Sequence, residues 1–368
     1  MHAMIGTAAI SSIEPGRGRG GAAWRVEALS AAAAETIEPQ WRALLARSTE
    51  ASPFMSPDFL LPAAIHQSGD GGPDLAAIWE DTCGTRSLAG LFALRSGASS
   101  AVEGWTRPRS AALWRHPMQP SAAPLLDGDD ERARRAVGAF LDWAAAQSLY
   151  SGFEGAGLAV GCAAARLLVE EARARHWPVS ERRDAERTRG MHFMPDGLHA
   201  AVERVAIAAE PQSLRAAVER LLCLDGQASP RDAILLRDPL LPSLLRAAVR
   251  GFGREGRAVI ATTEGRRGEA GGDPAGAAEA GGLFLLGRDR AYLWRLFGAG
   301  AEDPAIEAAL AVAVHRRFGM PVAAASTQRL AGVGSAPMPT QSLSIGFHPE
   351  PPAFMRRMRV WMASGLFG

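Results

Sequence analysis

Residues 24–29 read WRVEAL, and apolar and polar side chains alternate there at the two-residue period of a half-buried strand. Ser30 then predicts the cap of an alanine-rich helix that breaks at Pro39 and resumes through Trp41, Leu44 and Leu45. Ser56 followed by Pro57 predicts a second helix start, because proline fits the first helical position. The runs DLAAIWE (74–80) and SLAGLFALR (87–95) flank the polar turn DTCGTR, the pattern of an antiparallel hairpin. Residues 129–147 carry Val137, Phe140, Leu141 and Ala144 at helical spacing on one face. A short strand, a helix over 162–176 and a strand over 178–187 complete a mixed α/β half.

The composition shifts at GMHFMPDGLH (190–199), which predicts a domain boundary. Beyond it come amphipathic helices over 211–224 and 239–254 and a strand over 257–262. The Gly/Ala-rich tract 264–282 predicts a mobile loop, since it offers little side chain to bury. A hairpin over 283–286 and 291–297 follows. Asp303 as N-cap, Pro304 at the first helical position and Gly319 as the stop predict a helix over 303–317, and 321–327 reads as a strand. The expected organisation is a leader (1–22), an N-terminal domain (23–195), a C-terminal domain (196–345) and a tail (346–368).

Length agrees with two cores of ordinary size, and 47% hydrophobic with 21% charged residues is a globular composition. All 40 basic residues are arginine, which excludes a Schiff-base lysine and a Walker-type phosphate loop. A formal net charge of +1 gives no overall pull toward nucleic acid or an anionic membrane, so neither is an expected partner. The mixed-sign run 181–189 reads as a solvated edge. Cys83, Cys162 and Cys223 stand far apart, and His176, His192 and His199 lack metal-type spacing; neither a disulfide framework nor a metal site is expected. With no run near the roughly 20 apolar residues of a membrane span and no secretory pattern at the start, the expected location is the cytoplasm.

Two stretches carry a family resemblance. QWRALLARSTEASPFMSPDFLLPA (40–63), with the hairpin downstream of it, and LRAAVERLLCLDGQASPRDAILLRDPLLPSLLRAAVRGFGREGRAVIA (214–261) are similar to the CelD/BcsL-type acyltransferases of the GNAT superfamily. That resemblance implies an α/β (α+β) fold of tandem GNAT-like domains, each a mixed, mostly antiparallel twisted sheet flanked by helices. It also implies an acyl-CoA-dependent N-acyltransferase, with acetyl-CoA as co-substrate and a small-molecule amine such as an amino sugar as acceptor, in surface polysaccharide biosynthesis. A homodimer, or a partner from polysaccharide synthesis, belongs to the same expectation. This sequence departs from the family at Asp225, where glutamate is usual, and at GQASPRD (226–232), which replaces a Trp- and Lys-bearing turn. The tyrosine-rich segment is reduced to AYLWRLFGAGAEDP (291–304). These departures keep two other readings open: a non-catalytic GNAT-like binding protein and a Fem-type aminoacyl transferase.

GNAT enzymes hold the CoA pyrophosphate on main-chain N–H groups between a strand and the next helix, in a pattern R/Q-x-x-G-x-G/A. Glycines let the backbone approach the anion, and a helix N-terminus adds donors and a positive dipole. The pattern occurs at Arg17/Gly20/Ala22, at Arg295/Gly298/Gly300 and at Arg329/Gly332/Gly334. Only the second lies between a predicted strand and a predicted helix, so Arg295, Gly298, Ala299 and Gly300 are the candidate cofactor-binding residues; an ordinary strand–helix turn would need the same glycines. Asp225, at the end of an apolar helix, is the candidate base, with partial desolvation expected to raise its pKa. Tyr292 is the candidate proton donor to a departing thiolate. Each of the two has a plain alternative, a helix-end loop residue and a half-buried strand aromatic. Trp105, Trp114, Trp143 and Trp177 read mainly as packing residues.

Overall fold

The computed structural model describes residues 22–66, 73–95, 109–116, 119, 121–147, 150–183, 202–227, 240–264, 278–298, 303–324 and 340–347. The chain opens with β1 (Ala22–Leu29), then helices α1 (Ala31–Ala34), α2 (Glu38–Arg47) and α3 (Pro57–His66). The hairpin β2 (Pro73–Thr82) and β3 (Thr85–Arg95) follows, then the short strands β4 (Arg109–Ala112) and β5 (Leu125–Leu126). Next come α4 (Asp130–Ala146), β6 (Tyr150–Ala159), α5 (Ala163–Ala174) and β7 (Val179–Arg183). The remainder is β8 (Val205–Ala208), α6 (Pro211–Gln227), α7 (Leu241–Arg254), β9 (Ala258–Glu264), β10 (Ala278–Leu286), β11 (Ala291–Phe297), α8 (Pro304–Phe318), β12 (Val322–Ala324) and β13 (Thr340–Gly346).

These strands form three sheets, ordered β1-β2-β3-β5, β4-β6-β13-β7 and β12-β11-β10-β9-β8. Pairing is mostly antiparallel; β4 with β6 and β11 with β12 are the parallel pairs among the described residues. The fold is therefore mixed α/β with antiparallel-dominated sheets and flanking helices, as expected. Local signals explain most boundaries. Ser30 accepts a hydrogen bond from the Ala33 N–H, and Asp129 accepts one from Arg132, capping α1 and α4. Gly319 ends α8 in the left-handed conformation, at φ 69°. The break expected at Pro39 is a 3-10 turn over Glu35–Ile37, after which Pro39 sits in the first turn of α2.

Two elements differ from expectation. β10 begins at Ala278, inside the Gly/Ala tract read as a loop; residues 265–277 lie outside the described ones. A Cβ at Gly281 would run into the Leu221 side chain of α6, so small residues there let a helix lie close on the sheet rather than mark a loop. β13 is the second. It falls within the span expected for the C-terminal domain, yet it pairs antiparallel with both β6 and β7 of the first half. Leu343 and Ile345 bury there beside Phe153 and Leu168. The Pro/Ser-rich run before β13 concealed this strand. The leader and most of the tail lie outside the described residues.

One core runs across both halves. Trp41, Phe54, Phe59 and Leu91 pack in the same cluster as Leu221, Phe252, Leu283 and Trp294. An ion pair crosses the seam: Arg42, which donates to Asp58 within the first half at 2.9 Å, also pairs with Glu255 at the end of α7.

Candidate functional site

β11 carries the candidate site because it is irregular. Leu283 of β10 stands opposite Arg295, and Phe284 stands opposite Leu293, so Trp294 is an extra residue in a β-bulge. Side chains normally alternate across a strand; the bulge instead puts Trp294 and Arg295 on the same face, toward α6 and the shared core. On its other edge β11 pairs with β12 only over Ala291–Leu293. The residues that follow Ala324 lie outside the described ones, and β11 itself runs on through Phe297 to Gly298. Gly298 has φ +101°, a conformation that side-chain-bearing residues rarely adopt.

Arg295 and Asp225 come together. The Asp225 Oδ1 atom lies 3.8 Å from a terminal nitrogen of Arg295, and Asp225 is only 2% exposed. Asp225 is inside α6, not in the loop after it, and α6 rests on β10 through Leu221. Burial pushes the Arg295 guanidinium down from its ordinary pKa, and the Asp225 carboxylate works in the opposite direction. Arg295 also lies over the Phe297 ring at 5.7 Å.

Tyr292 is placed elsewhere on the strand. It lies three residues before Arg295, at the β10–β11 turn end, and packs edge-on against Phe54 of the first half at 5.9 Å. Burial pushes its phenol pKa up, with Arg290 acting against the shift, so the hydroxyl keeps its proton at neutral pH. The structure therefore unites Asp225 with Arg295 and leaves Tyr292 at the other end of β11. Ala299 and Gly300 lie outside the described residues.

The N-terminus of α8 is already engaged by its own chain. Asp303 Oδ1 accepts from the Ala305 N–H at 2.8 Å, and the Asp303 carbonyl accepts from Ile306 and Glu307 at 3.1 and 3.2 Å. Pro304 has no N–H to give. The first N–H groups of α8 are thus already engaged.

The corresponding junctions of the first half are filled by carboxylates. Between β5 and α4, Asp127 accepts from the Asp129 N–H at 3.2 Å and is held by Arg47 and Arg132 at 2.6 and 2.8 Å. At the start of α5, the Glu50 carboxylate accepts from the Ala163 N–H at 2.9 Å. A second anion at either place would meet a fixed negative charge.

His116 is the residue that sequence reasoning passed over. It is 1% exposed and sits among Phe59, Trp114 and Trp294, with ring centroids 5.8, 6.1 and 6.5 Å away. A lone histidine between two short strands gives no periodic signal. Among the described residues no group of three His, Cys, Asp or Glu gathers as a metal site, and no helix is long and apolar enough to cross a membrane.

No protein family matches the chain by sequence, and no curated protein does either. Among solved structures, FemX is similar at 8% identity over 76% of this chain and 84% of that one, with a TM-score of 0.44. A GCN5-related N-acetyltransferase from Sphaerobacter thermophilus is similar at 11% identity over 89% of this chain and 97% of the other, with a TM-score of 0.27. Neither likeness says which ligand this chain takes.

Proposed function

We propose that the chain is a GNAT-type acyltransferase whose acyl donor, an acyl-CoA, binds the second half along β11 and at the β11–α8 junction. The observation that carries this reading is the bulged end of β11, which brings Arg295 to Asp225 and runs to Gly298 at φ +101°, a few residues before the helix α8. In this reading the main-chain N–H and C=O groups of 294–297 meet an extended ligand that carries amides, as the arm of CoA does. Gly298, at φ +101°, lets the backbone come close to where the diphosphate would lie in this reading. The junction at the carboxyl end of a strand in a parallel β–α–β unit is a common ligand position in α/β sheets. The first half, with carboxylates at the starts of α4 and α5, serves as a structural partner in this reading.

In this site Asp225 is the base that takes the proton of the attacking amine, and Arg295 fixes its position and balances its charge. Tyr292 keeps its proton and supports the seam with the first half; as donor to a thiolate it would need the acyl end of the ligand to reach the turn of the hairpin. The resemblance of residues 40–63 and 214–261 to CelD/BcsL-type acyltransferases supports an amino sugar or similar polar amine as acceptor, and surface-polymer synthesis as the setting.

One observation favours a second reading, a non-catalytic GNAT-like binding protein: Asp303 places a carboxylate at the helix start that a phosphate would share. Calorimetric titration with acetyl-CoA separates the two. Asparagine caps a helix as well as aspartate does, so Asp303→Asn keeps the fold while removing the charge. The acyl-CoA reading expects binding to the unaltered chain and binding about two- to fivefold tighter in the variant, from the dipole and charge terms of roughly 0.3–1 kcal/mol. No heat of binding in either protein, with both folded, supports the non-catalytic reading.

A further inference from the structure

A groove of about 470 Å³ runs between α6 and α7, on the outer side of the second half. Four arginines line it: Arg215 from α6, and Arg246, Arg250 and Arg254 from α7. All four side chains are exposed, and the three on α7 recur every four residues, so they form one row along the helix. Glu219 is the single carboxylate of the lining, and Arg246 holds it through two hydrogen bonds of 2.7 Å. Among the described residues no ion pair engages Arg215, Arg250 or Arg254. Like charges at four-residue spacing destabilise a helix by roughly 0.2–0.5 kcal/mol per pair, and α7 carries no acidic residue of its own between them.

We propose that this groove docks an acidic helical segment of a partner protein whose carboxylates are spaced four residues apart. The Glu219–Arg246 clasp shows that a carboxylate suits a guanidinium of this row. From Arg246 to Arg254 the helix rises about 12 Å, which matches three carboxylates at positions i, i+4 and i+8 of a facing helix. The floor residues Leu214, Val218 and Val249 are almost wholly buried, so recognition is by charge, with small apolar side chains in contact. Single-stranded nucleic acid fits less well. No aromatic residue lines the groove to stack a base, and Glu219 would stand against a phosphate. The proposal is independent of the acyl-donor site, which lies on the sheet beneath α6.

The test is fluorescence anisotropy with a labelled alanine-based peptide of about 18 residues, long enough to populate a helix, carrying Glu at i, i+4 and i+8. The same peptide with Gln and a labelled oligouridylate RNA serve as comparators. The expected result is binding of the Glu peptide at least about tenfold tighter than the Gln peptide, weakening with salt, and weakened about tenfold in Arg215→Ala/Arg250→Ala. Both positions are exposed, and a circular dichroism melt that matches the unaltered chain shows that the variant is folded. Should that variant unfold, Arg250→Gln alone provides the comparison. RNA bound more tightly than the Glu peptide, and lost in the same variant, overturns the proposal in favour of a nucleic acid. Peptide binding indifferent to the substitutions, or no binding of the Glu peptide, also overturns it.

Discussion

The guanidinium of Arg295 and the carboxylate of Asp225 face each other at 3.8 Å beneath α6, joining the bulged strand to the helix that covers it. Removing one member leaves the other charge buried without that counter-charge, which is more costly than removing both. Arg295→Ala is expected to destabilise the chain by about 3 kcal/mol, and Asp225→Asn combined with Arg295→Met to recover at least half of that loss. Urea unfolding midpoints check it. A double-variant loss equal to the sum of the Asp225→Asn and Arg295→Met single losses would show that the pair is not coupled.

Burial of the Tyr292 phenol makes stability fall in alkali. Its folded pKa is raised, so the folded state holds the proton that the unfolded state releases. This contribution is fully present below the unfolded pKa of about 10 and is lost as pH rises through the folded value. Tyr292→Phe is expected to flatten the decline of melting temperature above about pH 10 relative to the unaltered chain. An unchanged alkaline slope would contradict the assignment.

β13 fastens the C-terminal part of the chain to the first half by filling the place between β6 and β7. A protease site inserted between Gly332 and Val333 and then cleaved is expected to leave the C-terminal fragment bound under native conditions. Leu343→Asp, which puts a charge at a position 2% exposed, is expected to release it. Size-exclusion chromatography after cleavage reads both outcomes, and release without the substitution would show that the strand is not an anchor.

Gly298 adopts a backbone conformation suited to glycine, at φ +101°. Gly298→Ala is expected to cost about 1–3 kcal/mol in thermal unfolding and to weaken acetyl-CoA binding in parallel. Strain without any change in binding would place the ligand away from this turn.

Much of the framework was legible in the sequence because it rests on local chemistry. Asp129, Asp303 and Gly319 announce helix ends through their own side chains or their absence, and the apolar runs at 74–80 and 87–95 flank a polar turn that marks them as a hairpin. The missed parts depend on partners distant in the chain. Gly281 reads as loop composition until Leu221 of α6 is seen to lie against it. β13 is short and follows a Pro/Ser-rich run, and only β6 and β7 give it meaning. The bulge at Trp294 has no signature of its own, so Arg295 was found through a glycine motif rather than through its ion pair. Net charge misled in another way: +1 over the whole chain conceals four arginines converging on one groove.

Amide hydrogen–deuterium exchange with and without acetyl-CoA tests the placement of the acyl donor most directly. The expected result is new protection in peptides covering residues 294–306, with peptides covering 125–133 unchanged. Protection at 125–133 instead, or none anywhere in the second half at saturating acetyl-CoA, would contradict it.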